Sequence, residues 1–369
     1  MRAGVTVSAV TDRLLDLLQT MLGSSESFRE GQREAVDATL RMGARVLVVQ
    51  RTGWGKSLVY WICSRIQRDS GSGPTLIVSP LLSLMRNQIA MAERIGLVAA
   101  TINSANREDW DAVIASLRTG TTDVLLISPE RLANERFNDE VLPAMGSIGL
   151  LVVDEAHCIS DWGHDFRPDY RRLARILRGL APTVPVLATT ATANDRVVRD
   201  VAEQLGEAVT ILRGPLARDS LSLQVIRLAD QAERLAWLAG TLPDIPGSGI
   251  VYCLTVADTY RVSDFLRSRG IDARPYNGDL DPPARLAAED ALLRNEVKAL
   301  VATTALGMGF DKPDLAFVVH YQRPGSVIAY YQQVGRAGRG IAAAVAILLA
   351  GREDDEISEY FIRLCIPAL

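Results

Sequence analysis

Thr52-Gly53-Trp54-Gly55-Lys56-Ser57 places two glycines, a lysine and a hydroxyl within six residues. Glycines allow backbone N–H groups to face phosphate oxygens, an ammonium at this spacing reaches the β/γ-phosphates, and the serine hydroxyl can bind Mg²⁺. The strict form of such a loop has a further glycine at position 50, where this chain has Gln50. Taken alone, the segment also fits a plain Gly-rich turn between a strand and a helix. The scarcity of lysine favours the phosphate loop: of 40 basic residues only Lys56, Lys298 and Lys312 are lysine. A second chemical cluster follows the apolar run Leu150–Val153, where Asp154 and Glu155 bring two carboxylates to the end of what reads as a buried strand. There Asp154 would hold Mg²⁺, and Glu155 would polarise the water attacking a γ-phosphate. A nucleoside triphosphate and Mg²⁺ are the cofactors these residues call for.

Such groups need rigid strand ends to hold them. Short β-branched runs at Val46–Val49, Thr75–Val78, Val124–Ile127, Leu150–Val153 and Val184–Ala188 alternate with segments of helical apolar spacing. That is the rhythm of a parallel α/β sheet. It fades near Gly214-Pro215 and resumes with Gly249–Tyr252, Ala299–Ala302 and Ala316–Tyr321. Two similar α/β lobes are therefore expected, over residues 1–212 and 226–369, joined by a linker at 213–225. Residues 1–212 and 213–369 each carry a net charge of −2, so neither is a charged arm.

Composition narrows the class further. With 48% hydrophobic and 23% charged residues, disorder and collagen are excluded. A net charge of −4 argues against coating nucleic acid by bulk electrostatics, while leaving room for a local basic groove. Cys63, Cys158, Cys253 and Cys365 form no C-x-x-C pair, so neither a zinc site nor a disulfide framework is expected, and a reducing cytoplasm fits. The apolar stretch at Ile341–Ala350 falls short of the roughly 20 residues a membrane helix needs. Charges at Arg2, Asp12, Arg13 and Asp16 argue against a signal peptide.

Asp154 through Tyr170 reads DEAHCISDWGHDFRPDY, which resembles motif II and the adjoining aromatic-rich loop of RecQ-family ATP-dependent DNA helicases of superfamily 2. Phe28-Arg29-Glu30-Gly31-Gln32, Ser79 to Met85, Thr190-Ala191-Thr192-Ala193, Gly307 to Pro313 and Gln332 to Arg339 match further family motifs in family order. The resemblance covers about residues 28–340 and implies two RecA-like lobes with the nucleotide in the cleft between them. It implies adenine recognition by Arg29 and Gln32, although the family's upstream base-stacking aromatic has no clear match between Leu22 and Ser27. Arg336 and Arg339 would act on the γ-phosphate as arginine fingers do, with Gly307 and Gly309 allowing close backbone approach and Asp311 near nucleotide or arginine.

For nucleic acid, the resemblance implies a track of hydroxyl, amide and guanidinium groups: Ser83, Arg86, Asn87, Gln88, Ser128, Arg131, Asn277, Thr303 and Thr304. His157, Trp162, His164, Phe166 and Arg167 would stack on bases or signal DNA occupancy to Asp154 and Glu155. His320 also matches the family, with no role that the sequence supplies. After Gly340 come one apolar run, an acidic segment and Cys365, so the family's four-cysteine zinc module and winged helix are not expected here.

The function implied is ATP-driven 3′-to-5′ movement on single-stranded DNA with unwinding of tailed duplexes, in the bacterial cytoplasm at the nucleoid, aided by accessory repair or recombination proteins. The alternatives are a DNA-stimulated ATPase that cannot unwind alone, an RNA helicase, and a nucleotide-gated binding module without turnover.

Overall fold

The computed structural model describes residues 7–80, 89–103, 106–160, 172–191, 193–215, 217–307, 310–351 and 354. The chain divides into two compact units, Met1–Leu216 and Ala217–Leu369.

In the first unit, seven strands form one sheet: β1 Arg45–Val49, β2 Thr75–Val78, β3 Ala99–Ile102, β4 Val124–Ile127, β5 Leu150–Val153, β6 Val186–Thr190 and β7 Thr210–Arg213. Their spatial order is β3-β4-β2-β5-β6-β1-β7, and every pairing is parallel. Parallel strands joined by helical crossovers are covered on both faces, which is why β1, β2, β4 and β5 are unbroken apolar runs. Leu47, Val49, Leu76 and Leu151 belong to one apolar cluster, while Val46, Val48, Ile77 and Val152 pack on the opposite side with the helix Lys56–Asp69.

The second unit carries β8 Leu221–Arg227, β9 Gly249–Tyr252, β10 Ala273–Tyr276, β11 Ala299–Ala302, β12 Phe317–His320 and β13 Ala344–Ala350. They form a parallel sheet in the order β10-β11-β9-β12-β13-β8. Its helices start where polar caps satisfy free N–H groups. Thr255 accepts from the Asp258 backbone N–H, Asp281 from that of Ala284, and Ser326 from that of Ala329.

Three features depart from the expected pattern. The division between units falls inside the expected linker, yet residues 221–225 of that linker belong to β8, an edge strand with Leu223 and Val225 exposed. An edge strand with one open face has no continuous apolar run to betray it. β6 runs two residues beyond Ala188 because Pro185, lacking an N–H, lies outside its start and β-branched Thr189 and Thr190 extend it. The run noted at 341–350 is β13, held between β12 and β8. No helix among the described residues is long and apolar enough to cross a membrane.

Candidate active site

The sheet order sets β1, β6 and β5 side by side, so the loops leaving their carboxyl ends meet. β1 feeds the loop 50–55, in which Gly53 and Gly55 take positive φ angles of 79° and 98° that glycine alone adopts without cost. The helix Lys56–Asp69 begins at once, aiming its first N–H groups and Lys56 at the same space. Lys56 Nζ donates to the backbone oxygens of Gln50 at 2.9 Å and Arg51 at 3.3 Å, so the ammonium sits inside the loop. Gln50, standing where a glycine was expected, is buried with its side chain against Gly214; a Cβ at 214 would come within 2.3 Å of it. The bulk missing from Gly214 is what accommodates Gln50.

Arg29 and Gln32 join the loop directly. The Gln32 side-chain amide donates to Trp54 O at 2.7 Å and accepts from the Arg29 backbone N–H at 2.8 Å. Arg29 Nη1 donates to Gly53 O, and the Trp54 indole N–H donates to Glu30 O at 3.0 Å. Thr52, Gly53, Gly55, Lys56 and Ser57 are partly exposed, whereas Trp54 is buried.

At the end of β5, Asp154 is buried and Thr189 Oγ1 donates to its Oδ1 at 2.6 Å, with Ser79 Oγ donating to Oδ2 at 3.4 Å. Burial, and then the neighbouring Glu155 charge, raise the Asp154 carboxyl above its ordinary range, while Thr189 and Lys56 oppose the rise. Buried Asp154 and half-buried Glu155 beside one lysine have the donor chemistry a hard divalent cation takes, so the residues fit Mg²⁺. Glu155 has φ 50° and ψ 48°, a left-handed conformation that costs a non-glycine residue about 1–3 kcal/mol. His157 Nδ1 lies 2.9 Å from Thr190 Oγ1 and 3.3 Å from Glu155 Oε2, tying the carboxylate turn to β6. Thr189 and Ser79 were not identified from sequence as groups that hold Asp154; two hydroxyls at strand ends flanking β5 were the available signal.

The second unit assembles its own cluster. Arg336 is buried and donates to Phe310 O at 3.2 Å. Arg339 donates to Asp311 Oδ1 at 2.7 Å and to Gly335 O at 3.2 Å, and burial lowers its pKa. Gly307 is followed closely by its own turn: a Cβ there would lie 2.7 Å from Thr304 O.

Of the residues expected to meet nucleic acid, Ser128 is buried at the start of a 3₁₀ turn containing Arg131, and Thr304 is exposed beyond β11. Thr303 Oγ1 accepts from the Ala305 backbone N–H at 3.3 Å. Asn277 is 0% exposed, its amide donates to Thr259 at 2.9 Å, and its oxygen accepts from the Asp279 N–H. With both ends of the amide engaged, it shapes the turn after β10. Ser83, Arg86, Asn87, Gln88, Trp162, His164, Phe166, Arg167 and Gly309 lie outside the described residues. Cys63, Cys158 and Cys253 are buried and form no disulfide among the described residues.

Residues 29–201 match the DEAD/DEAH box helicase family, and residues 233–340 match the helicase conserved C-terminal domain. The ATP-dependent DNA helicase RecQ of Pasteurella multocida is 36% identical over 336 residues, spanning 90% of this chain and 51% of that protein. The probable ATP-dependent DNA helicase RecS of Bacillus subtilis is 35% identical over 343 residues, spanning 92% and 67%. The crystal structure of the DUF1998 helicase MrfA bound to DNA superposes with a TM-score of 0.76 at 20% identity, covering 95% of this chain and 50% of that one. The chain thus spans about half to two thirds of the length of these relatives. Motifs in family order, two parallel sheets of the RecA kind and identity sustained across both units place this chain in the RecQ family of superfamily 2 helicases.

Proposed function

We propose that this chain hydrolyses ATP and couples the hydrolysis to 3′-to-5′ movement on single-stranded DNA, separating tailed duplexes. The observation that carries the reading is the meeting of Lys56 with the Asp154–Glu155 pair at the ends of β1 and β5, the two strands that flank β6, a basic phosphate cradle beside two carboxylates. Lys56 exchanges its loop carbonyls for β/γ-phosphate oxygens. Ser57 and Asp154 would hold Mg²⁺, which when bound would neutralise developing phosphate charge. Glu155, held in its strained turn, orients the attacking water and takes its proton. Arg336 and Arg339 supply positive charge to the γ-phosphate in the transition state.

Ser128, Arg131, Thr303 and Thr304, together with Ser83 and Arg86 to Gln88, form the proposed phosphate track, and Trp162, His164, Phe166 and Arg167 the proposed DNA sensor. His157 relays that sensor to β6 through Thr190. Partner repair or recombination proteins and a nucleoid location accord with this activity.

The test is ATP turnover with single-stranded DNA, with RNA and with neither. Marked stimulation by DNA supports the reading, equal or greater stimulation by RNA replaces it with RNA translocation, and binding without turnover replaces it with a nucleotide-gated module. Displacement of labels from 3′- and 5′-tailed duplexes then reads polarity.

A further inference from the structure

His320 closes β12 and is 1% exposed. In the register of β12 with β9 it stands opposite Tyr252, and the two rings stack at 5.6 Å with an interplanar angle of 21°. Tyr330 covers it from the helix Val327–Val334 at 5.1 Å. Its Nε2 lies 2.7 Å from Gln333 Oε1. An amide oxygen only accepts, so Nε2 carries the proton and Nδ1 is left as a buried acceptor with no hydrogen-bond partner among the described residues. An unpaired buried acceptor costs stability, so this imidazole is kept for something other than packing alone.

What it holds is the end of the helix Val327–Val334. Gln333 sits in the last turn, and its backbone oxygen accepts from the Arg336 N–H at 3.2 Å. Arg336 then reaches Phe310 O, while Tyr252, stacked on His320, donates its hydroxyl to Leu306 O at 2.9 Å. One imidazole therefore touches both Tyr252, which bonds the turn after β11, and Gln333, whose backbone oxygen receives the N–H of Arg336.

We propose that His320 is a positioning residue for ATP hydrolysis, fixing through Gln333 the helix end from which Arg336 is presented. The proposal rests on the reading that Arg336 acts on ATP. A planar, neutral donor clamped between two tyrosine rings has one orientation available, and burial keeps the imidazole neutral, its pKa lowered to about 4. Glutamine can place an amide N–H near the same point; leucine keeps volume and loses the donor.

The experiment measures kcat and KM for ATP on single-stranded DNA in the wild-type chain, His320→Leu, His320→Gln, Gln333→Leu and the His320→Leu/Gln333→Leu double variant, with circular dichroism confirming folding. His320→Leu is expected to lower kcat about tenfold while KM shifts less than about twofold, because ground-state binding is left intact. His320→Gln should recover most of kcat, and the double variant should be no slower than the slower single variant, as for two residues acting in series. Wild-type kcat in His320→Leu, additive losses in the double variant, or a fall shared equally by folding and kcat without rescue by glutamine each overturn the proposal. A wild-type chain that turns over no ATP overturns instead the functional reading on which it stands.

Discussion

In the proposed mechanism Lys56 and Glu155 serve different steps, and substitution should separate them. Lys56→Ala removes the phosphate cation, so both nucleotide affinity and turnover should fall, turnover by at least about 100-fold. Glu155→Gln keeps shape and loses the base, so binding should survive while turnover falls as far. Nucleotide titration alongside steady-state hydrolysis checks both, and near-normal hydrolysis by Glu155→Gln would remove Glu155 from the mechanism. The other two lysines explain the scarcity that the sequence displays. Lys298 donates to Ile245 O and Gly247 O, and buried Lys312 to Asp314 Oδ1 and Leu293 O. At Lys56 and Lys298 a compact ammonium fills a nest of backbone oxygens, and at Lys312 it bridges a backbone oxygen and a carboxylate, tasks the broad guanidinium does poorly. Scarcity thus marked geometry as much as chemistry.

His320 also carries a pH signature. Its folded pKa of about 4 lies below the ordinary 6.5, with Tyr252, Tyr330, Gln333 and, beyond Tyr252, Arg336 around it. The unfolded chain therefore binds the proton first. The contribution to stability is whole above pH 6.5 and is lost as pH falls from 6.5 toward 4, amounting to about 3 kcal/mol at most. Denaturant midpoints of wild type and His320→Gln across that range should diverge in slope, and parallel curves would show that this imidazole does not titrate on unfolding.

At the scale of elements, the turn 29–32 and the loop 50–55 are fastened by Gln32, Arg29 and Trp54. A purine held by Arg29 and Gln32 would thereby act on the phosphate loop through backbone oxygens. Trp54→Phe should cost about 1 kcal/mol for one lost hydrogen bond. Trp54→Gly, which also vacates a buried ring, should narrow the ratio of kcat/KM for ATP over GTP while phosphate binding persists. An unchanged ratio would mean that turn and loop act separately. The sequence displayed this site well because phosphate chemistry demands glycine, lysine and carboxylate types that few other structures need at that spacing. It displayed the fastening poorly, since Trp54 contributes an indole N–H from a position where composition shows only bulk. Strands followed the same rule. β1, β2, β4 and β5, buried on both faces, read as apolar runs, whereas β3, β8 and β10 carry exposed or part-exposed positions and left no such trace.

For the whole molecule, the two units have independent cores, and each should lose its structure by its own mechanism. In the second unit, Asp354 faces buried Arg234 at 3.0 Å and accepts from the backbone N–H groups of Gly351 and Arg323. Asp354→Ala strips that cation of its carboxylate and should destabilise the unit by about 3–5 kcal/mol, read as a shift in one unfolding transition with the other unmoved. Movement of both would show that the units unfold together. Truncation after residue 340, where the match to the helicase C-terminal domain stops, should be worse still, because it removes β13 from between β12 and β8.

That placement of β13 has a bearing on synthesis. β8 is made first of the second unit's strands, yet its neighbour in the sheet is the strand made last. While the ribosome adds the residues between Arg227 and Ala344, β8 has its hydrogen-bonding edge open to water with nothing to pair with, next to Leu223 and Val225, which stay exposed in the folded unit as well. The first unit closes without any such wait on the second, since β1 finds β6 and β7 within its own 216 residues. A long-range pairing of this kind is slow and leaves an adhesive edge exposed in the meantime. The window in which a nascent chain of this protein is most prone to mispair therefore opens when β8 leaves the exit tunnel and closes when β13 does.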